Sequence, residues 1–323
     1  MNNLIKPNDI SIVFSGHNTE EYVLSAIKSF LLFYPEYKDS IIYFDDDSTD
    51  NSVKEVEKLG VKVITWTEEY RQKASEINKT LKSIYGNTLE KVFVTYVSLR
   101  VCCIYHCIMA QLNTKYMLLL DGDIVILKQG LLEDFSEKIL EGCRYVGIED
   151  LTEISDLDNE YQGNYYKDYV FNLEDGRLVN HRISTFCCLF DIEYLKSINA
   201  TIDRLDERNI IACTGGLVDV GTDFYYFLKE NNIPIYEFKY TKNNMPLYHF
   251  SFASGMTKEK IESNSWCFFH YGRNLLQEKA KHEENKNLMN VFKQISTSEY
   301  PLNPSILLRS TLKKRYKSKI ITD

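Results

Sequence analysis

Asp121 and Asp123 stand one residue apart in YMLLLDGDIVIL, an otherwise apolar run over residues 116–127. An ionised carboxylate in apolar surroundings is costly unless it is paired or bound to a cation. Two of them repel each other as well. A hard divalent cation, Mn2+ or Mg2+, would offset both costs through its oxygen ligands and share them with the phosphates of a substrate. Such an ion stabilises a leaving diphosphate as a Lewis acid. Even two unit charges ~4 Å apart attract by about 4 kcal/mol at an effective dielectric of ~20. The structural alternative is that the two acids cap a turn or the element that follows.

A second acidic site lies in IIYFDDDSTDNS, residues 41–52. A carboxylate there can accept the N–H of a base or a ribose hydroxyl. Its structural alternative is helix capping by Ser48, Thr49 or Asp50, and some of these are expected to serve as caps as well.

The elements that position these acids alternate. ISIVFSG (10–16) reads as a buried strand, and Thr19 to Tyr34 follows with helical spacing of its apolar residues. Residues 40–50 and 61–67 read as further strands, with a helix over 52–59 between them. Two helices are expected near 70–85 and 96–112, then a single strand through 116–127, a helix over 131–140 and a strand over 143–150. This order predicts an α/β fold with a mostly parallel sheet and helices on both faces. Ligands of such sheets bind beyond the carboxyl ends of the strands. Ser15, His17, Asp45, Asp46, Asp47, Asp121 and Asp123 all fall at those ends. The second half is less regular. It shows a hairpin-like region over 151–185, a strand at 184–190, a helix at 192–198, a Gly-rich turn before a helix from Asp223, a strand at 233–239, and a helix over 274–295.

Taken together, ISIVFSGHNTEEYVLSAIKSF, IIYFDDDSTDNS and KYMLLLDGDIVI resemble the family 2 glycosyltransferases of the GT-A (Rossmann-like) fold. The three motifs occur in the family's order and spacing. The resemblance covers residues 9–127 well and 180–255 loosely. It implies a catalytic domain over residues 1–273, with a nucleotide-binding half (1–127) and an acceptor half (128–273), then a helical C-terminal extension with a basic tail (274–323). It implies transfer of a sugar from a nucleotide-sugar, a UDP-sugar first, to an acceptor hydroxyl on a glycan, lipid or protein, with inversion. Ser15 and His17 would line the base pocket, Asp46 would read the uracil edge with Asp45 beside it, and Arg100 would contact the nucleotide. Asp121 would face ribose and metal, and Asp123 would be the main metal ligand. His249 is expected as a third ligand ahead of His270, against the plainer reading of a packed histidine. Asp223 would be the base that deprotonates the acceptor, its anion favoured by a helix N-terminus. N-capping by Thr222 or Asp223 is the alternative, and Asp219, Glu149 and Asp150 are the fallback bases. Gly215 and Gly216 would let backbone approach the donor sugar. The sequence departs from the family pattern at Asp47 (commonly Gly), His106 (Asn) and His17 (aromatic or Pro).

The bulk properties agree. A formal net charge of −8 argues against nonspecific nucleic-acid binding. No stretch approaches the ~18–20 apolar residues of a membrane span, and a cytoplasmic protein is expected. The eight cysteines include no CxxC pair and read as reduced, buried small hydrophobes. A metal site from Cys103, His106 and Cys107 is disfavoured because no second ligand pair is evident. The basic segment LKKRYKSK (312–319) reads as a solvated end, with peripheral contact to an anionic membrane or lipid phosphate as the alternative. A nucleotidyltransferase is the rival enzyme, but SGHNTEEY lacks its Gly-rich loop and basic residue. A binding module on a dead transferase fold would be expected to have lost the paired acids.

Overall fold

A computed structural model describes residues 4–85, 89–153, 170–172, 178–200, 202, 220–239, 246–249 and 294. Strands β1 (Ile10–Gly16), β2 (Ile41–Asp45), β3 (Lys62–Thr65) and β4 (Tyr116–Asp121) are parallel, with α1 (Glu20–Phe33), α2 (Ser52–Lys58), α3 (Glu68–Tyr85) and α4 (Leu89–Gln111) between them. The short strand β5 (Ile124–Ile126) and helix α5 (Leu131–Leu140) follow. Next come β6 (Tyr145–Glu153), β7 (Val170–Asn172), β8 (Leu178–Asp191) and α6 (Ile192–Ser197), then α7 (Thr222–Glu230), β9 (Ile235–Phe238) and β10 (Leu247–His249). The main sheet has eight strands, ordered β3-β2-β1-β4-β8-β6-β9, with β7 paired to β8. Only β8 breaks its parallel sense: it runs antiparallel to β4, β6 and β7. The α/β expectation holds.

Alternation along the strands divides the interior into two cores. Met117 and Leu119 of β4 point to one face with Val13, Phe44, Cys103 and Phe224. Leu118 and Leu120 point to the other with Ile12, Phe14, Ile27, Phe30 and Phe135. Successive strand side chains face opposite ways. A strand covered on both faces therefore reads as a continuous apolar run, and Ile10 to Phe14 and all of β2 are buried accordingly.

Two expectations need correction. The single strand through 116–127 is two: β4 ends at Asp121, and β5 leaves the main sheet to pair with β10. The break sits at Gly122, whose N–H donates to Ser15 O at 2.9 Å. The strand expected at 184–190 runs from Leu178 to Asp191, because β6 and β7 pair with its polar first half. The Gly-rich turn with Gly215 and Gly216, His270, Asp219 and, apart from residue 294, the extension over 274–295 lie outside the described residues, as does the basic tail.

Candidate active site

The carboxyl ends of β1, β2 and β4 meet at one edge. Ser15 is in register with Phe44 of β2 on one side and Asp121 of β4 on the other. A methyl group added at Gly122 would lie 2.9 Å from Ser15 O, so the middle of the acidic triplet must be glycine for β1 and β4 to stay this close. Asp123 follows in the turn, 7% exposed. β10 then returns antiparallel, with the His249 backbone opposite Ile124, the residue after Asp123. The two acids and the expected third ligand thus come to one corner, built by β4, β5 and β10.

The end of β2 is a closed network. Asp46 accepts from Trp66 Nε1 at 2.7 Å and from Arg100 Nε at 3.1 Å, with a further bond from Arg100 Nη2. The Arg100 guanidinium lies 4.8 Å from the Trp66 ring centroid. Asp47 takes a two-pronged bond from Arg71, at 2.6 and 2.8 Å. That fork, outweighing the effect of burial, holds the Asp47 carboxyl below its ordinary range. The Asp47 backbone has φ +56°, a region that favours glycine, which accounts for the glycine common at this position in the family pattern. Asp45 is 7% exposed. Its Oδ2 accepts from Ser48 N at 3.2 Å, while its Oδ1 finds no hydrogen-bond donor among the described residues. A buried oxygen left so costs about 1–3 kcal/mol, which a ligand N–H or O–H would relieve.

His17 joins this network through the backbone of Asp46. Its Nδ1 lies 2.5 Å from Asp46 O, and a carbonyl can only accept, so Nδ1 carries the proton. Its Nε2 then accepts from Asn18 Nδ2 at 3.2 Å. Of the expected caps only Asp50 bonds to the start of α2, its Oδ1 accepting from Ser52 N at 2.9 Å; the N-cap itself is Asn51, which makes no side-chain capping bond. Asp50 accepts from Glu20 N at the start of α1, and Ser48 Oγ and Ser52 Oγ accept from Asn18 N and Thr19 N. These bonds lock the loop after β2 onto the end of β1.

Asp223 lies in the first turn of α7 and is 3% exposed. The N-cap is Gly221, at φ +87°, so neither Thr222 nor Asp223 caps the helix. A methyl group on Gly221 would lie 2.6 Å from Thr185 Cγ2. Thr185 stands two residues along β8 from Cys187, the partner of Leu120, which brings the start of α7 beside the turn that holds the acidic pair. Buried Arg182 donates from Nη1 to Val220 O at 2.6 Å and fixes the approach to that helix.

Several residues of this region were not anticipated from the sequence. Trp66 follows β3, and Arg71 is in the first turns of α3, so both sit at the carboxyl side of the sheet, which was the available signal. Tyr105 of α4 is buried and shares a hydrogen bond with Thr185. Burial first, then the charge of Asp121, raises its hydroxyl well above the ordinary tyrosine range. His106 lies elsewhere, with Nε2 2.8 Å from Ile202 O. Cys103 is buried, and Cys107 Sγ accepts from Thr67 N at 3.4 Å. Among the described residues, Cys103, His106 and Cys107 are not a group whose ligand atoms all lie within 4.8 Å of one another.

Residues 11–95 match the family model Glycosyl transferase family 2. This match bears out the resemblance and the reading of the chain as a glycosyltransferase enzyme. It covers about a quarter of the chain and ends before the Asp121–Asp123 motif. No curated protein matches the sequence. Among solved structures, the chain is similar to core-mannan synthase A from Aspergillus fumigatus in its Mn/GDP form. Identity is 11%, coverage 68% of this chain and 69% of that one, and the TM-score 0.40. It is also similar to glucosyl-3-phosphoglycerate synthase from Mycobacterium tuberculosis in complex with Mn2+, UDP and glucosyl-3-phosphoglycerate. There the identity is 12%, coverage 89% and 79%, and the TM-score 0.40. Among the described residues no helix is long and apolar enough to cross a membrane.

Proposed function

We propose that the protein transfers a sugar from a nucleotide-sugar, a UDP-sugar first, to an acceptor hydroxyl with inversion at the anomeric carbon. The observation that carries this reading is the corner where Asp121 and Asp123 meet the ends of β1 and β2 and the His249 position. The donor set fits a hard divalent ion: two carboxylates one residue apart, one of them buried, with an imidazole-bearing residue at the adjoining register position. Asp121, Asp123 and His249 would hold Mn2+ or Mg2+, which when bound stabilises charge on the departing diphosphate. The base of the nucleotide meets the Asp45–Asp46 pair, where Asp45 has an oxygen to spare. Ser15, His17 and Arg100 frame that pocket, and Gly215 and Gly216 are assigned to the donor sugar.

Asp223 takes the proton of the acceptor hydroxyl. The hydroxyl oxygen then bonds to the anomeric carbon as the bond from that carbon to the diphosphate breaks. A carboxylate in the first turn of a helix is stabilised as the anion it must be to act as base. Inversion rests on the family resemblance. The acceptor is a glycan, a lipid-linked sugar or a protein.

The test is hydrolysis of UDP-sugars in the presence of Mn2+, the slow reaction in which water replaces the acceptor. Activity present in the native chain and absent in folded Asp123→Ala supports the reading. Activity equal in both would reject it.

A further inference from the structure

Three side chains outside the proposed transfer site converge across three neighbouring strands. Glu149 of β6, His181 of β8 and Glu237 of β9 each present one ligand atom, and these atoms lie within 4.8 Å of one another. His181 Nε2 is 2.6 Å from Glu237 Oε2 and 3.3 Å from Glu149 Oε1. All three residues are half-buried. The pairing of β6 with β8 shifts register between Gly147 and Glu149, an irregularity of the kind that re-aims a side chain. From α7, Tyr225 donates its hydroxyl to Glu237 Oε1 at 2.6 Å, and its ring lies 5.5 Å from that of His181. Two lysines border the group: Lys239 Nζ is 2.9 Å from Glu149 Oε1, and Lys229 Nζ is 3.8 Å from Glu237 Oε1.

We propose that Glu149, His181 and Glu237 form a second divalent-cation site, of the imidazole–carboxylate type that takes Zn2+, tying edge strand β9 to β8 across β6. Ligand atoms ~2.0–2.2 Å from one tetrahedral zinc ion lie roughly 3.3–3.5 Å apart. The separation between His181 and Glu149 already meets this. The contact between His181 and Glu237 needs to open by less than ~1 Å, within reach of a rotation of the Glu237 carboxylate. The fourth position is left for water. The Tyr225 hydroxyl on the other oxygen of Glu237 is the outer hydrogen bond that orients a ligating carboxylate. Lys239 is mostly exposed and free to swing away, so its charge opposes the cation without blocking it.

The experiment is calorimetric titration of Zn2+ into a chain carrying Asp121→Asn and Asp123→Asn, which removes the acids of the transfer site and keeps the two readings separable. We expect one ion per chain with a matching rise in Tm, binding at least tenfold weaker when His181→Gln is added, and severalfold tighter when Lys239→Ala is added. No binding in the parent variant, or binding that neither further substitution alters, would overturn the proposal and leave a metal-free ion-pair cluster. If circular dichroism shows that His181→Gln does not fold, Lys239→Ala at the exposed position decides. Unchanged affinity there overturns it.

Discussion

Arg100 reaches Asp46 from a helix 54 residues downstream and shares that carboxylate with the Trp66 indole. Both partners are largely shielded from solvent. Removing the guanidinium leaves a half-buried carboxylate short of donors. We expect Arg100→Ala to lose about 1.5–3 kcal/mol in denaturant unfolding, the range for hydrogen bonds to charged groups. Adding Asp46→Asn should recover part of that loss, because the stranded charge is gone. Arg100→Lys should not restore stability, since an ammonium cannot reproduce the fork. Nearer the surface, the Arg71 fork holds the Asp47 carboxyl down. A depressed carboxylate pKa contributes stability that is present above the unfolded value of ~3.9 and lost as pH falls through the folded value. A carboxyl titration by NMR should therefore place Asp47 below the ordinary aspartate range in the native chain and return it upward in Arg71→Ala. An Asp47 value unmoved by that substitution would contradict the assigned cause.

At the scale of elements, the acidic corner depends on β1 and β4 approaching closely at their ends. Gly122→Ala would put a methyl group 2.9 Å from Ser15 O. Overpacking of this sort costs roughly 1–3 kcal/mol. It would also push the turn away from β1, so Mn2+ binding should weaken alongside the fall in Tm. A variant that loses stability but keeps full Mn2+ affinity would show that the turn is not the ion's seat. The departure of β5 from the sheet was not legible in the sequence. Ile124 to Leu127 is as apolar as Tyr116 to Leu120, and apolar spacing cannot say which sheet a strand joins. Only the pairing with β10 reveals it. The polar start of β8, LVNHRI, was equally opaque, since its hydrogen bonds come from β6 and β7 rather than from any pattern of its own. By contrast, β1, β2, α1 and α5 read through directly: their buried faces follow strand or helix periods set by local residues.

Across the whole molecule, the two cores enclose the sheet and take up the cysteines of α4 and β8 as buried packing residues. Cys102, Cys103, Cys187 and Cys188 are fully buried. Burial pushes the Cys103 thiol up to about 11 and raises Cys187 and Cys188 well above the ordinary thiol range. The thiolate is the reactive form. At ~pH 8, alkylation followed by peptide mass spectrometry should therefore leave all four unlabelled in the native chain and label them in denaturant. Cys143, only partly buried, should react first among the described cysteines. Early labelling of Cys187 or Cys188 would mean that the sheet around β8 is open. The candidate site was legible where a motif stands at a strand end, as with Asp45, Asp46, Asp121 and Asp123. It was opaque where partners arrive from other segments, as with Trp66 after β3, Arg71 of α3 and Tyr105 of α4, because their type and spacing signal nothing until the sheet gathers them. The central claim is that the Asp121–Asp123 corner holds a divalent cation which in turn holds a nucleoside diphosphate. Its most direct measurement is calorimetric titration of UDP into the native chain and into Asp123→Asn, each with Mn2+ and with a chelator. The account predicts binding that requires both Mn2+ and Asp123, weaker by at least tenfold when either is removed. UDP binding of equal strength in all four titrations would contradict it.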